Sequence, residues 1–229
     1  MNQVNQFLQA MDWPGLLSFL LTIGAVLLCL TVHELSHGLA AYLLGDPTAK
    51  SQKRLSLNPL RHLDFFGTLM MLVAGFGWAK PVPVDMRYFK NPKSGMAVTA
   101  LAGPLSNLLL AYVVLFLRSA LFPFVLYGSW SGWEQVDMFL IQLASLSVGL
   151  GVFNLIPFPP LDGSKILEGV LPDKIYYTIL RYERFGMIAL MVVLWTGILD
   201  GPLNAVRWWV LQVLQSGSYW VMDLVMRLM

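Results

Sequence analysis

The chain has 229 residues, 57% of them hydrophobic and 12% charged, with a mean hydropathy of +0.64. Soluble domains carry about 25% charged residues, so this composition excludes an ordinary soluble fold and points to lipid as the solvent. A formal charge of +2 gives no reason to expect a nucleic-acid partner.

The distribution of charge says more than its sum. Eight of the fifteen Lys and Arg residues fall between positions 46 and 93, and four more between 158 and 184. The positive-inside rule assigns both regions to the cytoplasm. The first ten residues carry no charged side chain and no cleavage motif, so no signal peptide is expected and the N-terminus is placed outside. Cys29 is the single cysteine, which excludes an internal disulfide; it is expected to pack within the first helix.

Trp13-Pro14-Gly15 reads as an interfacial anchor and helix start. A helix is predicted from Leu16 to Leu44, longer than the roughly 20 residues a span requires. Gly45-Asp46-Pro47 ends it. Within it lies His33-Glu34-Leu35-Ser36-His37, an HExxH pattern. Positions i and i+4 share a helical face, so His33 and His37 can offer two imidazole nitrogens to one metal ion. Glu34 stands beside them, placed to take a proton from an attacking water rather than to ligate. Two imidazoles and a carboxylate in an apolar helix are costly without such a partner. Glu34 precedes Gly45 by about 16 Å at 1.5 Å per residue, which places the site inside the bilayer, below the cytoplasmic surface.

Residues 46–66 read as a basic cytoplasmic loop, in which His62 is expected to be solvated. Phe65–Trp78 offers about fourteen apolar residues between two basic stretches, too few to span, and a re-entrant dip from the cytoplasm fits better. In the following Lys80-Pro-Val-Pro-Val-Asp85, Pro81 and Pro83 lack N–H groups on one side, while Val82 and Val84 point theirs to the other. That pattern predicts an edge strand, with Val82 and Val84 as candidates for backbone pairing to a substrate.

A second span is predicted over about residues 95–117. Pro104 is expected to kink it, Gly103 to admit a close neighbour, and Asn107 to require a polar partner in lipid. Phe122–Trp133 reads as an aromatic loop at the outer interface. A third span, about 135–153, is broken by Asn154-Leu-Ile-Pro-Phe-Pro-Pro-Leu-Asp162-Gly163. The prolines force extended chain and deliver Asp162 from outside a regular helix. Asp162 either N-caps the segment that follows or supplies the third ligand that His33 and His37 lack. A short apolar stretch, 185–199, precedes a tail in which Gln212, Ser216, Tyr219, Asp223 and Arg227 form one polar stripe. The tail is expected either to lie at the interface or to cross with that stripe turned inward. The fold class is therefore an all-α polytopic membrane protein with roughly four to six spanning helices and a short re-entrant or hairpin segment. It reads as one membrane-embedded domain with its core at about 16–170 and accessory helices at 185–229.

The ordered set of HELSH, Gly103-Pro-Leu-Ser-Asn107 and Asn154-to-Gly163 resembles the site-2 protease family of membrane-embedded zinc metalloproteases. Gly75-Phe-Gly-Trp-Ala-Lys-Pro-Val-Pro-Val84 is similar to that family's glycine- and proline-rich membrane loop. The resemblance covers roughly residues 20–170 and implies zinc held by His33, His37 and Asp162, with Glu34 as general base. It further implies that Asn107 and Asn154 hold the substrate or polarise its carbonyl. No segment is long enough for the PDZ or CBS domain of many relatives, so the chain resembles a minimal member. The expected activity is endoproteolysis in or near transmembrane segments of single-span or other membrane proteins. The expected location is a prokaryotic plasma (inner) membrane, with the active site towards the cytoplasm. A zinc-dependent transporter or metal sensor using the same ligands is the alternative reading; substrate identity and oligomeric state stay open.

Overall fold

The structure is a computed structural model, and it describes residues 13–67, 70, 79–130, 132–172 and 185–228. The protein is an all-α polytopic membrane protein, with no strand among the described residues. Its helices are α1 (Trp13–Leu43), α2 (Thr48–Ser51), α3 (Pro92–Tyr127), α4 (Trp133–Asn154), α5 (Asp162–Glu168), α6 (Phe185–Trp195), α7 (Asp200–Ser216) and α8 (Tyr219–Leu228). Three of them, α1, α3 and α4, are long and apolar enough to cross a membrane. A fourth span is counted if α6 and the α7–α8 run, bent by 87° to each other, form one broken crossing.

Local chemistry sets the helix ends. Gly45, at φ +106°, closes α1 with two backbone bonds, Gly45 N–H to Tyr42 and Asp46 N–H to Ala41, the Schellman arrangement that a left-handed residue permits. Asn91 caps α3 by accepting the Ser94 N–H, with Pro92 in the first turn. α3 extends ten residues beyond the expected end at 117, through Pro123 to Tyr127. Phe122–Tyr127, read as interfacial loop from its aromatics, continues the helix; Pro123 costs one ladder bond and its ring is buried.

The spans meet through small side chains. Ala25 and Cys29 of α1, Ala111 and Leu115 of α3, Ala144 and Val148 of α4 and Leu211 of α7 form one buried core. Ala25, Ala111 and Ala144 are fully buried, and such residues let helix backbones approach closely where lipid offers no hydrophobic drive. Polar ties join the same helices: Gln142 Nε2 donates to Thr22 Oγ1, and Arg118 pairs with Asp137. The outward faces keep Leu17, Phe19, Leu109 and Val113 exposed, as lipid contact requires.

α7 and α8 follow α3 and α4. Ser218 Oγ and Ser119 Oγ share a hydrogen bond, and Phe116 meets Trp220 edge-on. The buried side of this run is Leu211, Ser218 and Val221. The stripe of Gln212, Ser216, Tyr219, Asp223 and Arg227 is exposed, which corrects the inward-turned alternative: the side turned to the bundle is that of Leu211, Ser218 and Val221.

Most of Phe65–Trp78 lies outside the described residues, as do the N-terminal ten. The ends of that segment are described, and they meet: Leu63 and Ala79 form an antiparallel bridge, and Lys80 N–H donates to the His62 carbonyl. The re-entrant expectation for the segment between them lies outside the described residues. His62 is not solvated; it is 1% exposed, with Nε2 bound to the Ser56 carbonyl, because the loop folds back beneath the returning chain.

Candidate metal centre

α1 carries His33 and His37 one turn apart, and their rings meet edge-on with centroids 4.5 Å apart. Their Nε2 atoms lie 3.0 Å from each other. Asp162 reaches them from the first residue of α5, its Oδ2 at 3.0 Å from His33 Nε2 and 3.1 Å from His37 Nε2. The cap of α5 is Leu161, without any side-chain cap bond, so the carboxylate serves the histidines and not the helix end. Gly163 makes the delivery possible: a Cβ there would lie 2.3 Å from the Ile156 carbonyl oxygen and 2.4 Å from that of Leu155. The Asn154–Leu161 turn therefore wraps directly over Gly163 and aims Asp162 inward.

These three atoms fit a tetrahedral zinc. Bonds of about 2.0–2.2 Å at tetrahedral angles separate neighbouring ligand atoms by roughly 3.3 Å, close to the triangle observed. Asp162 Oδ2 is a buried acceptor with no hydrogen bond despite its two close neighbours, an expense that a cation removes.

The outer ring nitrogens are also engaged. His37 Nδ1 donates to the Thr99 carbonyl at 2.7 Å, which leaves its Nε2 as a lone pair. Thr99 sits one residue before Ala100, whose carbonyl receives no N–H from Pro104, at the point where the proline opens α3. His33 Nδ1 lies 3.3 Å from the amide of Asn107. Gly103 lets α3 come this near, since a Cβ there would fall 2.4 Å from His37 Nε2 and 2.7 Å from His33 Cε1. The Pro104 kink and Gly103 were legible in the sequence; the Thr99 carbonyl was not, because a backbone acceptor leaves no trace in residue type.

Glu34 is 9% exposed, and its Oε2 accepts the Val82 N–H at 2.9 Å. It opens with His33, His37 and Asp162 onto a cavity of about 290 Å³, which Asn154, Val82, Val84, Met96 and Lys165 also line. Sequence reading had not singled out Lys165 or Met96. The loop carrying Val82 is strapped at both ends: Arg54 donates to the Lys80 and Pro81 carbonyls, and Asp46 accepts the Asp85 N–H. Residues 80–85 are irregular rather than the expected strand, and the Val82 N–H is bonded to Glu34. Asn107 does not reach the cavity. It is fully buried behind His33, at the back of the imidazole rather than at the cavity wall.

The family model described as Peptidase family M50 matches residues 123–197. "Putative zinc metalloprotease YwhC" of Bacillus subtilis (strain 168) is 41% identical over 179 residues, covering 78% of this chain and 80% of that protein. "Putative zinc metalloprotease Rip2" of Mycolicibacterium smegmatis is 27% identical over 208 residues, 89% of this chain and 77% of the relative. "Putative zinc metalloprotease MJ0611" of Methanocaldococcus jannaschii is 32% identical over 155 residues, 67% of this chain and 72% of the relative. No solved structure matches the chain.

Proposed function

Because the chain belongs to peptidase family M50, and is a membrane zinc metallopeptidase, we propose that it hydrolyses peptide bonds in or near the transmembrane segments of other membrane proteins. The observation that carries this reading is depth: the His33–His37–Asp162 triangle and Glu34 open onto one cavity among apolar spanning helices.

His33, His37 and Asp162 hold the zinc ion. Bound zinc supplies a Lewis acid that lowers the pKa of water to about 7. Glu34 takes the proton of the attacking water on the oxygen that Val82 leaves free, and returns it to the departing amine. The Val82 N–H keeps the carboxylate turned into the cavity. Asn154 lines the cavity with one Nδ2 hydrogen on the Leu150 carbonyl, and its second Nδ2 hydrogen holds the scissile carbonyl in this reading. A helical substrate must unwind to offer that carbonyl, and Val84 is the remaining backbone position for pairing with it. Lys50, Lys53, Arg54 and Arg61 follow the metal-bearing end of α1, which by the positive-inside rule supports a site towards the cytoplasm.

The test is cleavage of single-span proteins by purified wild type and Glu34→Gln, with zinc content measured on both. Cleavage by the wild type alone, at equal zinc, supports the reading. Metal transport unaffected by Glu34→Gln, with no cleavage by the wild type, favours a transporter instead.

A further inference from the structure

A second cavity system lies apart from the metal group, between α1, α4 and α7. A slot of about 290 Å³ is walled by apolar side chains, Val26, Leu30 and Leu150 among them. A neighbouring chamber of about 240 Å³ contains Asp200 and Asn204. Gly149, Phe153 and Arg207 line both, so the two form one groove with an apolar arm and a polar head. The Arg207 stem passes close to Gly149 of α4, its Cδ 3.5 Å from where a Cβ would stand. Asp200, Asn204 and Arg207 recur at i, i+4 and i+7, on one face of α7.

The charges in the polar head do not pair. Arg207 Nε is buried without a hydrogen bond, and no ion pair joins Arg207 or Asp200 to any described residue. Two opposite charges thus line one chamber without meeting, Arg207 half-buried and Asp200 exposed at the rim, and an occupant carrying both signs pairs with each. A lone phosphate would face Asp200, and a lone cation would face Arg207.

We propose that the groove binds one phospholipid with a zwitterionic, amine-bearing headgroup. Its phosphate pairs with Arg207, its ammonium with Asp200 and the Asn204 carbonyl oxygen, and one acyl chain fills the slot beside α1 and α4. The site is independent of the protease reading, since it shares no residue with the metal cavity.

The test uses full-length protein, purified in detergent, stripped of lipid and titrated with dioctanoyl phosphatidylethanolamine under native mass spectrometry. One lipid per wild-type chain is expected, with Arg207→Gln and Asp200→Asn each weakening it about tenfold and Arg207→Lys retaining most of it. Dioctanoylglycerol and free phosphoethanolamine separate tail from headgroup, and each alone should bind about tenfold more weakly than the intact lipid. Unchanged zinc content in the variants reports an intact bundle. Equal lipid retention by wild type and both charge variants, or dioctanoylglycerol binding as well as the full lipid, overturns the proposal. Variants that keep the lipid but lose cleavage of a single-span protein would give the groove to the protein substrate.

Discussion

The side-chain amide of Asn107 stands 3.3 Å from Nδ1 of His33, wholly buried, with Oδ1 unpartnered in the orientation assigned. The two ends of an amide are assigned from the hydrogen-bond network, and a half-turn exchanges them. With Oδ1 turned to His33, the imidazole carries its proton on Nδ1 and presents Nε2 as a lone pair towards Asp162, the tautomer that a metal needs. Asn107→Asp, which can only accept there, should keep zinc affinity, whereas Asn107→Leu should lose about 10–100-fold, read by competition with a chromophoric chelator. An Asn107→Leu protein with wild-type affinity would leave His33 oriented by packing alone.

Gly103→Ala should abolish stoichiometric zinc binding, because the added methyl enters the space of both imidazoles. The helix itself gains from the change by up to about 1 kcal/mol, so loss of zinc without loss of helicity separates a site effect from misfolding. Full zinc content in this variant would show that the rings have room to move away from α3.

Glu34→Gln should retain zinc and lose peptide hydrolysis by about 10²- to 10⁴-fold, since an amide keeps the shape and cannot take the proton. Full proteolysis by this variant would remove Glu34 from the base role.

His33→Ala, His37→Ala and Asp162→Ala should each lower zinc content measured by metal analysis of the purified protein. Asp162→Ala is the informative one, since its carboxylate makes no cap bond at α5. If that protein keeps both zinc and activity, a different third ligand holds the metal.

Single cysteines at Ser51 and Lys90, both exposed, should react with an impermeant reagent from the same side of the membrane in a Cys29→Ser background. The Leu63–Ala79 bridge is the reason: it brings the two flanks of the segment together. Labelling of the two positions from opposite sides would mean that the bridge does not form in the bilayer.

The histidine pair was legible because its parts are local. A helix repeats every 3.6 residues wherever it forms, so His33 and His37 had to share a face, with Glu34 beside them. Prolines 157, 159 and 160 exclude helix over their own stretch, so Asp162 had to follow irregular chain. Composition was equally decisive for the lipid environment, since burial in a bilayer is a property of whole segments and needs no knowledge of partners.

By itself, then, the sequence determined the solvent, the metal-binding face of α1 and the acid able to complete it. Only the tertiary structure decided which groups stand behind that face and which enter the cavity. Asn107 went behind His33, Val82 gave its N–H to Glu34, His62 went under the loop, and the polar stripe of α7 and α8 turned away from the bundle. Each of these depends on which side of one element meets another, often dozens of residues away. Periodicity describes the faces that a helix possesses, but the packing of its neighbours selects the contact each face makes.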